Sequence, residues 1–162
     1  LSTEHESYTR LLQMMIGILC VHLRIEILSF GSATIKKSQQ RQGAEPDACF
    51  YVQTAAQIGT KIRLDFSVDP PPDIVVEIDL HHESTYKIPI YAAFGVSEVW
   101  RYDGEKLEIL RLAENGEYIS QEKSAALTVL SAAALTNFLN RSRAETQPKI
   151  LFAFEDWLKT QK

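Results

Sequence analysis

The sequence predicts a single α/β (α+β) domain with the element order α-β-β-β-α-β-β-β-α-α. Its 162 residues are 45% apolar and 23% charged, an ordinary composition for one globular domain. Apolar residues recur at helical spacing in some segments and alternate with polar residues in others. Because no internal repeat or low-complexity stretch divides the chain, we assign residues 1–162 to one domain.

The N-terminal segment is predicted to form a helix over roughly residues 3 to 22. Thr3 and Glu6 have capping-box spacing, and apolar residues follow them at helical spacing. Over residues 24–35 the pattern changes to alternation, with a break at Gly31, which predicts a bent strand.

Two further strands are predicted before the middle of the chain. The segment EPDACFYVQ, residues 45–53, has the aromatic and apolar content of a strand. Prolines at positions 70–72 hold the chain extended before DIVVEIDL, residues 73–80. The β-branched residues of DIVVEIDL are typical of a central strand that is buried on both faces.

A helix is predicted to follow the central strand. Ser84 or Thr85 provides its N-terminal cap, and Gly95 stands at the usual left-handed stop position. Pro89 is expected to remove one early hydrogen bond from this helix.

The C-terminal half is predicted to form a β-meander and two helices. The alternating segments SEVWRYD, KLEILRL and EYISQEKS are separated by Asp103-Gly104 and Asn115-Gly116, dipeptides that favour hairpin turns. One tail helix is expected around Leu135, and the other is expected to start near Pro148.

Composition also limits the class of protein. The net charge of −4 argues against a protein that coats nucleic acid with many basic residues, but it is compatible with a metal-dependent nuclease. The apolar run over residues 11–23 is interrupted by Gln13 and His22 and is shorter than the roughly 20 residues of a membrane span. Cys20 and Cys49 are expected to be reduced core thiols. We therefore predict a cytoplasmic protein that does not bind membranes.

Three carboxylates follow one face of the predicted central strand. Side chains alternate along a strand, so Asp73, Glu77 and Asp79 share a face. A buried carboxylate without a partner costs several kcal/mol, so these groups need cations, water or a metal ion. The alternative is that Asp73 caps the strand entrance and Asp79 lies in solvent, which leaves Glu77 alone to be explained.

A second acidic segment, Glu45-Pro46-Asp47, opens the preceding strand. If the two strands are neighbours, Asp47 comes near Glu77. Two carboxylates from adjacent strands, with waters completing the coordination, form the kind of site that holds Mg²⁺.

Lys87 and Tyr91 lie four residues apart at the start of the following helix and share one helical face. Both could point back over the acidic strand, where Lys87 would orient water or neutralise developing charge and Tyr91 would bind phosphate or position Lys87. The alternatives are an exposed helix lysine and a half-buried packing tyrosine.

Other polar residues are weaker candidates. His81, His82 and Glu83 resemble a zinc-ligand patch, which we disfavour because adjacent residues of an extended chain point in opposite directions. The first helix could present His5 to the acidic site. Basic loop residues could contact nucleic-acid phosphates or could simply be solvated: Lys36, Lys37, Arg41, Lys61 and Arg63.

Several segments resemble a known family of proteins. GAEPDACFYVQ, PPPDIVVEIDL, KIPIYAAFGVSEVWRYDG and the terminal FEDWLK helix are similar, in this order, to the Uma-type putative restriction endonuclease family, common in cyanobacteria, of the PD-(D/E)xK nuclease superfamily. The similarity begins at the EHESY helix and covers nearly the whole chain. It implies a restriction-endonuclease-like fold, in which a mixed, highly curved sheet is flanked by helices and an αβββαβ core precedes a β-meander and two helices.

The resemblance also implies roles for individual residues. Asp47 corresponds to the metal-binding aspartate of the second strand, Glu77 to the metal-binding acid of the third, and Lys87 to the catalytic lysine. The superfamily's usual lysine stands two residues after the acid, where this sequence has Asp79. Lys87 therefore resembles the branch in which the lysine lies on the following helix. Asp73 matches the aspartate that opens the family's third strand.

The resemblance predicts a metal-dependent endonuclease that uses Mg²⁺ or Mn²⁺ to hydrolyse DNA. We also expect a homodimer, because a β-meander can leave apolar residues unpaired at the surface. Family members usually carry an upstream segment whose glutamate can join the site; this sequence begins at Leu1, so we expect that segment to be missing. The alternative is a catalytically inactive nucleic-acid-binding or dimeric assembly module with the same fold. A weaker alternative is an enzyme that acts on RNA.

Overall fold

The computed structural model describes residues 2–36, 43–81 and 84–161. Within these residues the chain forms a six-stranded sheet and five α-helices. The strands are β1 (Leu28–Phe30), β2 (Ala48–Tyr51), β3 (Ile74–Ile78), β4 (Glu98–Tyr102), β5 (Leu107–Leu112) and β6 (Tyr118–Gln121). The helices are α1 (Thr3–Leu23), α2 (Ala55–Ile58), α3 (Ile88–Phe94), α4 (Ala132–Asn140) and α5 (Gln147–Thr160).

The sheet is mixed, as predicted, and its strands lie side by side in chain order from β1 to β6. The only parallel pair among the described strands is β3 with β4; the other neighbours are antiparallel. A parallel pair needs a crossover connection, and the segment that contains α3 provides it. The crossover therefore returns over the sheet immediately after β3.

The two faces of the sheet are buried differently. Ile74, Val76 and Ile78 of β3 belong to the larger core, which also contains residues of α1, α4 and α5. Val75 belongs to a smaller core together with Tyr91 of α3. The predicted alternation of β3 is confirmed, and Glu77 projects to the same face as Val75.

Helix α1 is confirmed, but the strand after it starts later than predicted. The cap is Ser2, whose side chain accepts from the His5 amide, rather than the predicted Thr3. Arg24 adopts a left-handed conformation with φ of 55°, and the Ile25 amide donates to the Cys20 carbonyl. This helix ending occupies residues 24 and 25, so β1 begins only at Leu28.

The rest of the predicted bent strand is shorter than expected. Beyond β1, Ile35 pairs with Ala44 in a single isolated bridge and does not belong to an extended strand. The one-turn helix α2 was not predicted, since four residues carry too little periodicity to be recognised.

The helix after β3 begins with one 3₁₀ turn, Thr85–Lys87, which leads into α3. Pro89 lies in the first turn of α3, which directly continues the 3₁₀ turn. Gly95 has φ of 78° and ends the helix as predicted. In the described parts of the chain, no helix is long and apolar enough to cross a membrane.

Candidate active site

Glu77 is a buried carboxylate near the C-terminal end of the central strand β3. Its side chain is only 2% exposed. The alternation of β3 turns it toward the face that α3 covers, so it lies between the sheet and the crossover segment.

Two side chains from that crossover segment bind the Glu77 carboxylate. The Lys87 ammonium, on the 3₁₀ turn, lies 3.3 Å from Oε1 and 3.2 Å from Oε2 of Glu77. The fully buried Tyr91 hydroxyl, one helical turn later, donates a short hydrogen bond to Oε1. Lys87 also donates to the backbone carbonyl of Glu45 at 3.0 Å. The structure thus brings Lys87 and Tyr91 over the acidic strand, as their spacing predicted.

Asp47 lies beside Glu77 because β2 is the direct neighbour of β3. The Asp47 amide donates to the Val76 carbonyl at 2.9 Å, just before the first residue of β2. Its carboxylate Oδ2 accepts from the Ile78 amide at 2.7 Å. The aspartate is therefore tied to the same stretch of β3 that carries Glu77.

His5 of α1 is the second partner of the Asp47 carboxylate. Its Nε2 lies 3.1 Å from Oδ2, and the imidazole is 13% exposed. A carboxylate only accepts hydrogen bonds, so Nε2 carries the proton of this contact. The other nitrogen, Nδ1, is buried without a hydrogen-bond partner among the described residues. The first turn of α1 thus reaches the site, as the sequence suggested.

Asp79 holds the loop that leads from β3 to Lys87. Its Oδ2 accepts from the backbone amide and hydroxyl of Ser84, at 3.0 and 2.6 Å, and from Arg101 at 2.8 Å. The Ser84 carbonyl then accepts from the Lys87 amide at 2.8 Å. Asp79 is thus neither free in solvent nor a partner of Lys87; it anchors the turn that carries the lysine.

Asp73 lies at the opposite end of β3 from Glu77. Its Oδ2 accepts from the amides of Val52 and Thr54 and from the Thr54 hydroxyl, at 2.7, 3.1 and 3.0 Å. These bonds fix the chain between β2 and α2. The structure does not bring Asp73 into the site, and its contacts match the capping alternative.

The remaining candidates lie at the margin. The Glu45 side chain accepts from the Thr34 hydroxyl at 2.6 Å, and Lys36 is exposed beside it. Lys61 forms an ion pair with Asp69 at 2.5 Å. The predicted phosphate contacts Lys37 and Arg41 lie outside the described residues, as do His82 and Glu83 of the disfavoured zinc patch.

Two open clefts meet at these residues. One has a volume of about 560 Å³ and is lined by His5, Asp47, Glu77 and Lys87, among others. The other has a volume of about 620 Å³. It is lined by Lys36 and Glu45, among others, and by residues that also line the first cleft. The shared residues are Asp47, Tyr86 and Lys87. Sequence reasoning missed Tyr86, whose only signal was its position next to Lys87.

Burial changes the acidity of the site. Burial raises the pKa of Glu77 to about 7 from an ordinary 4.5, and the nearby Asp47 charge acts in the same direction. The hydrogen bond from Tyr91 and the charge of Lys87 oppose this rise. Burial, followed by the charge of Glu77, also raises the pKa of Tyr91 far above its ordinary value. Near neutral pH, Tyr91 is therefore a hydrogen-bond donor and Glu77 is balanced between its acid and carboxylate forms.

The donor set fits a hard divalent cation. Asp47 and Glu77 offer carboxylate oxygens, and Mg²⁺ is usually held by one or two carboxylates together with waters and substrate phosphate. Among residues 2–36, 43–81 and 84–161, no three His, Cys, Asp or Glu side chains form a ligand cluster. An ion bound by Asp47 and Glu77 would thus keep most of its coordination positions for water and phosphate.

A mixed sheet that carries Glu77 on β3, with Asp47 just before β2 and Lys87 on the crossover, is the arrangement expected of a restriction-endonuclease-like α+β protein. Within that class, the chain belongs to the Uma2 family, described as putative restriction endonucleases, whose family model matches residues 1–142.

Comparison with solved structures agrees on the fold. The chain is similar to a crystal structure of a putative nuclease belonging to DUF820 from Anabaena variabilis, with a TM-score of 0.54. The similarity covers 96% of this chain and 83% of that chain at 13% sequence identity, so it shows the fold alone. None of the curated proteins matches this chain.

Proposed function

We propose that this chain is a metal-dependent endonuclease that hydrolyses DNA phosphodiester bonds in the cleft formed by Asp47, Glu77 and Lys87. One observation carries the proposal: the Lys87 ammonium contacts a buried carboxylate, Glu77, in an open cleft beside a second carboxylate, Asp47. Membership of the Uma2 family, described as putative restriction endonucleases, supports the choice of phosphodiester hydrolysis.

Asp47 and Glu77 would hold Mg²⁺ or Mn²⁺ through their carboxylate oxygens. Such an ion, when bound, lowers the pKa of water and stabilises negative charge on a phosphoryl oxygen. Holding it requires the carboxylate form of Glu77, and the pKa of about 7 makes that form abundant only from neutral pH upward.

Side chains of the protein would provide the other contributions to catalysis. Lys87 lies at the cleft surface with 18% of its side chain exposed, so its ammonium can contact a phosphate or hold the attacking water. Its charge would stabilise the extra negative charge of the transition state. Tyr91 holds the Glu77 carboxylate in place, and Asp79 holds the turn that presents Lys87.

We also propose that the protein works in the cytoplasm as a homodimer. Large apolar side chains on α5 and on the last strand support an interface: Phe152 is 66% exposed and Ile119 is 53% exposed. Light scattering of the purified chain tests the dimer, and a monomer at all concentrations would contradict it.

Nicking of supercoiled plasmid tests the activity. Wild type, Glu77→Gln, Lys87→Ala and the control Lys106→Ala are compared with Mg²⁺, with Mn²⁺ and with EDTA. Lys106 is an exposed lysine in the turn between β4 and β5 and lines neither cleft. We expect metal-dependent nicking by the wild type and Lys106→Ala, and its loss in both site variants.

Other results of this assay would contradict the proposal. Equal nicking by all four proteins would identify a contaminating nuclease. A folded wild-type protein that cleaves no DNA with either metal would favour the inactive binding or assembly module. In a parallel assay with an RNA substrate, cleavage of RNA in place of DNA would correct the substrate.

A further inference from the structure

An exposed aromatic ring stands where the two clefts meet. Tyr86 lies on the 3₁₀ turn before α3, is 70% exposed and lines both clefts. It directly precedes Lys87, whose ammonium we place at the reacting phosphate, and both residues line both clefts. Among the described residues that line the clefts, Tyr86 carries the only phenyl ring.

The position of Tyr86 contrasts with that of Tyr91. Tyr91 is completely buried, and its hydroxyl binds Glu77, so its ring has a structural task. The ring of Tyr86 is presented to the open cleft instead. Exposed aromatic rings in nucleic-acid clefts stack on bases, and this stacking tolerates any base because every base has a π-face.

The surroundings of Tyr86 suit a nucleic-acid strand that passes through both clefts. Lys36 is exposed in one cleft, where it can accompany a phosphate backbone. Lys87 and Tyr86 lie at the junction of the two clefts. Because Tyr86 and Lys87 line the same two clefts, a nucleotide whose phosphate contacts Lys87 can place its base against the exposed Tyr86 ring.

We propose that Tyr86 is a stacking platform for an unpaired base next to the reacting phosphate, so that the substrate strand is single-stranded DNA where it crosses the site. This inference rests on the proposed function and adds a substrate class to it. In a duplex each base is already stacked and paired, so its faces are not free for the tyrosine ring.

Binding to matched oligonucleotides tests the platform. Fluorescence anisotropy is measured in EDTA, which prevents metal-dependent cleavage, with labelled single-stranded oligothymidylate, an abasic strand of the same length and a duplex. The proteins are wild type, Tyr86→Ala, Tyr86→Trp and the control Ile62→Ala. Ile62 is a large apolar residue, 90% exposed, that lines neither cleft and is not part of the proposed dimer interface.

We expect Tyr86→Ala to weaken binding of the base-bearing single strand by at least about fivefold, the lower end of measured stacking effects. Binding of the abasic strand and the duplex should change little, because neither offers a free base. Tyr86→Trp should retain the wild-type preference for the base-bearing strand, and Ile62→Ala should behave like the wild type.

Three results would overturn the inference. Equal losses on the base-bearing and abasic strands would mean that Tyr86 acts on the backbone or on the fold. An unchanged affinity of Tyr86→Ala would mean that the ring does not stack. No binding to any oligonucleotide would also overturn it. Plasmid nicking by the same preparations shows separately whether the proposed function survives.

Discussion

The Lys87 ammonium reaches both carboxylate oxygens of Glu77, at 3.3 and 3.2 Å, from a turn that lies ten residues further along the chain. The position two residues after Glu77 is occupied by Asp79, which instead binds Ser84 and Arg101. Asp79 therefore anchors the loop, and Lys87 places the positive charge beside Glu77.

The raised pKa of Glu77 predicts how the stability of the metal-free protein depends on pH. The folded state holds the Glu77 proton up to about pH 7, whereas the unfolded chain releases it near 4.5. The resulting stabilisation is complete below pH 4.5 and is lost as the pH rises to 7, by an amount on the order of 3 kcal/mol. Urea unfolding in EDTA across this range measures it.

Glu77→Gln isolates this contribution from the other titrating groups. The glutamine amide cannot titrate, so the free energy of unfolding should lose the part of its pH dependence that Glu77 causes. The variant should therefore be more stable than the wild type above pH 7. Identical slopes for the two proteins between pH 4.5 and 7 would show that Glu77 titrates normally.

Replacement of Lys87 by methionine should separate cleavage from metal binding. The charge of Lys87 lowers the pKa of Glu77, so its removal should shift the midpoint of Mn²⁺ binding to higher pH. At a pH above the new midpoint, Mn²⁺ should still bind, while nicking falls by about 100-fold or more. The control is Lys106→Met, and an unchanged midpoint in Lys87→Met would contradict the contact with Glu77.

Tyr91→Phe removes the hydroxyl that binds Glu77 without removing the ring. A buried acceptor that loses its donor costs about 1–3 kcal/mol, so the free energy of unfolding above pH 7 should fall by that amount. The pKa of Glu77 should also rise, which weakens Mn²⁺ binding at neutral pH.

Tyr118→Phe is the matched control for this change. The Tyr118 hydroxyl donates to the Val96 carbonyl at 2.7 Å, outside the clefts. Tyr118→Phe should lower the free energy of unfolding and leave Mn²⁺ binding unchanged. Equal effects of the two variants on Mn²⁺ binding would remove Tyr91 from the site.

His5 should position Asp47 through its Nε2 atom, and two substitutions distinguish this role from simple packing. The amide nitrogen of glutamine can reach the place of Nε2, whereas that of asparagine reaches only the place of Nδ1. We expect His5→Gln to keep most of the Mn²⁺ affinity and His5→Asn to lose about 10- to 100-fold, as partners of ligating groups commonly do. Calorimetric titration measures both, and equal affinities would contradict the role.

The parts of this fold that depend on local pattern could be predicted from the sequence. The alternation of residues 73–80 placed Glu77 on the face of β3 that points away from the larger core. The spacing of Lys87 and Tyr91 placed both side chains on one side of the crossover. The nearness of Asp47 followed from the pairing of consecutive strands. These predictions needed only the periodicity of side chains along an element and the pairing of consecutive strands.

Most of the features that could not be predicted depend on tertiary approach. The sequence suggested that His5 reaches the site, but its bond to Asp47 joins residues far apart in sequence, and the anchoring of Asp79 by Arg101 depends on β4 lying beside β3. The later start of β1 depends on a left-handed Arg24, a residue type with no marked preference for that conformation. No pattern within a short window carries this information.

Binding of Mn²⁺ at a pH above 7 tests the central claim most directly, because it asks whether Asp47 and Glu77 form a metal site at all. Electron paramagnetic resonance of free Mn²⁺ is recorded during titration of wild type, Asp47→Asn, Glu77→Gln and Glu108→Gln, an exposed carboxylate of β5 outside the clefts. We expect one bound ion in the wild type and Glu108→Gln, and loss of that ion in the two site variants. Undiminished binding by Asp47→Asn and Glu77→Gln would contradict it.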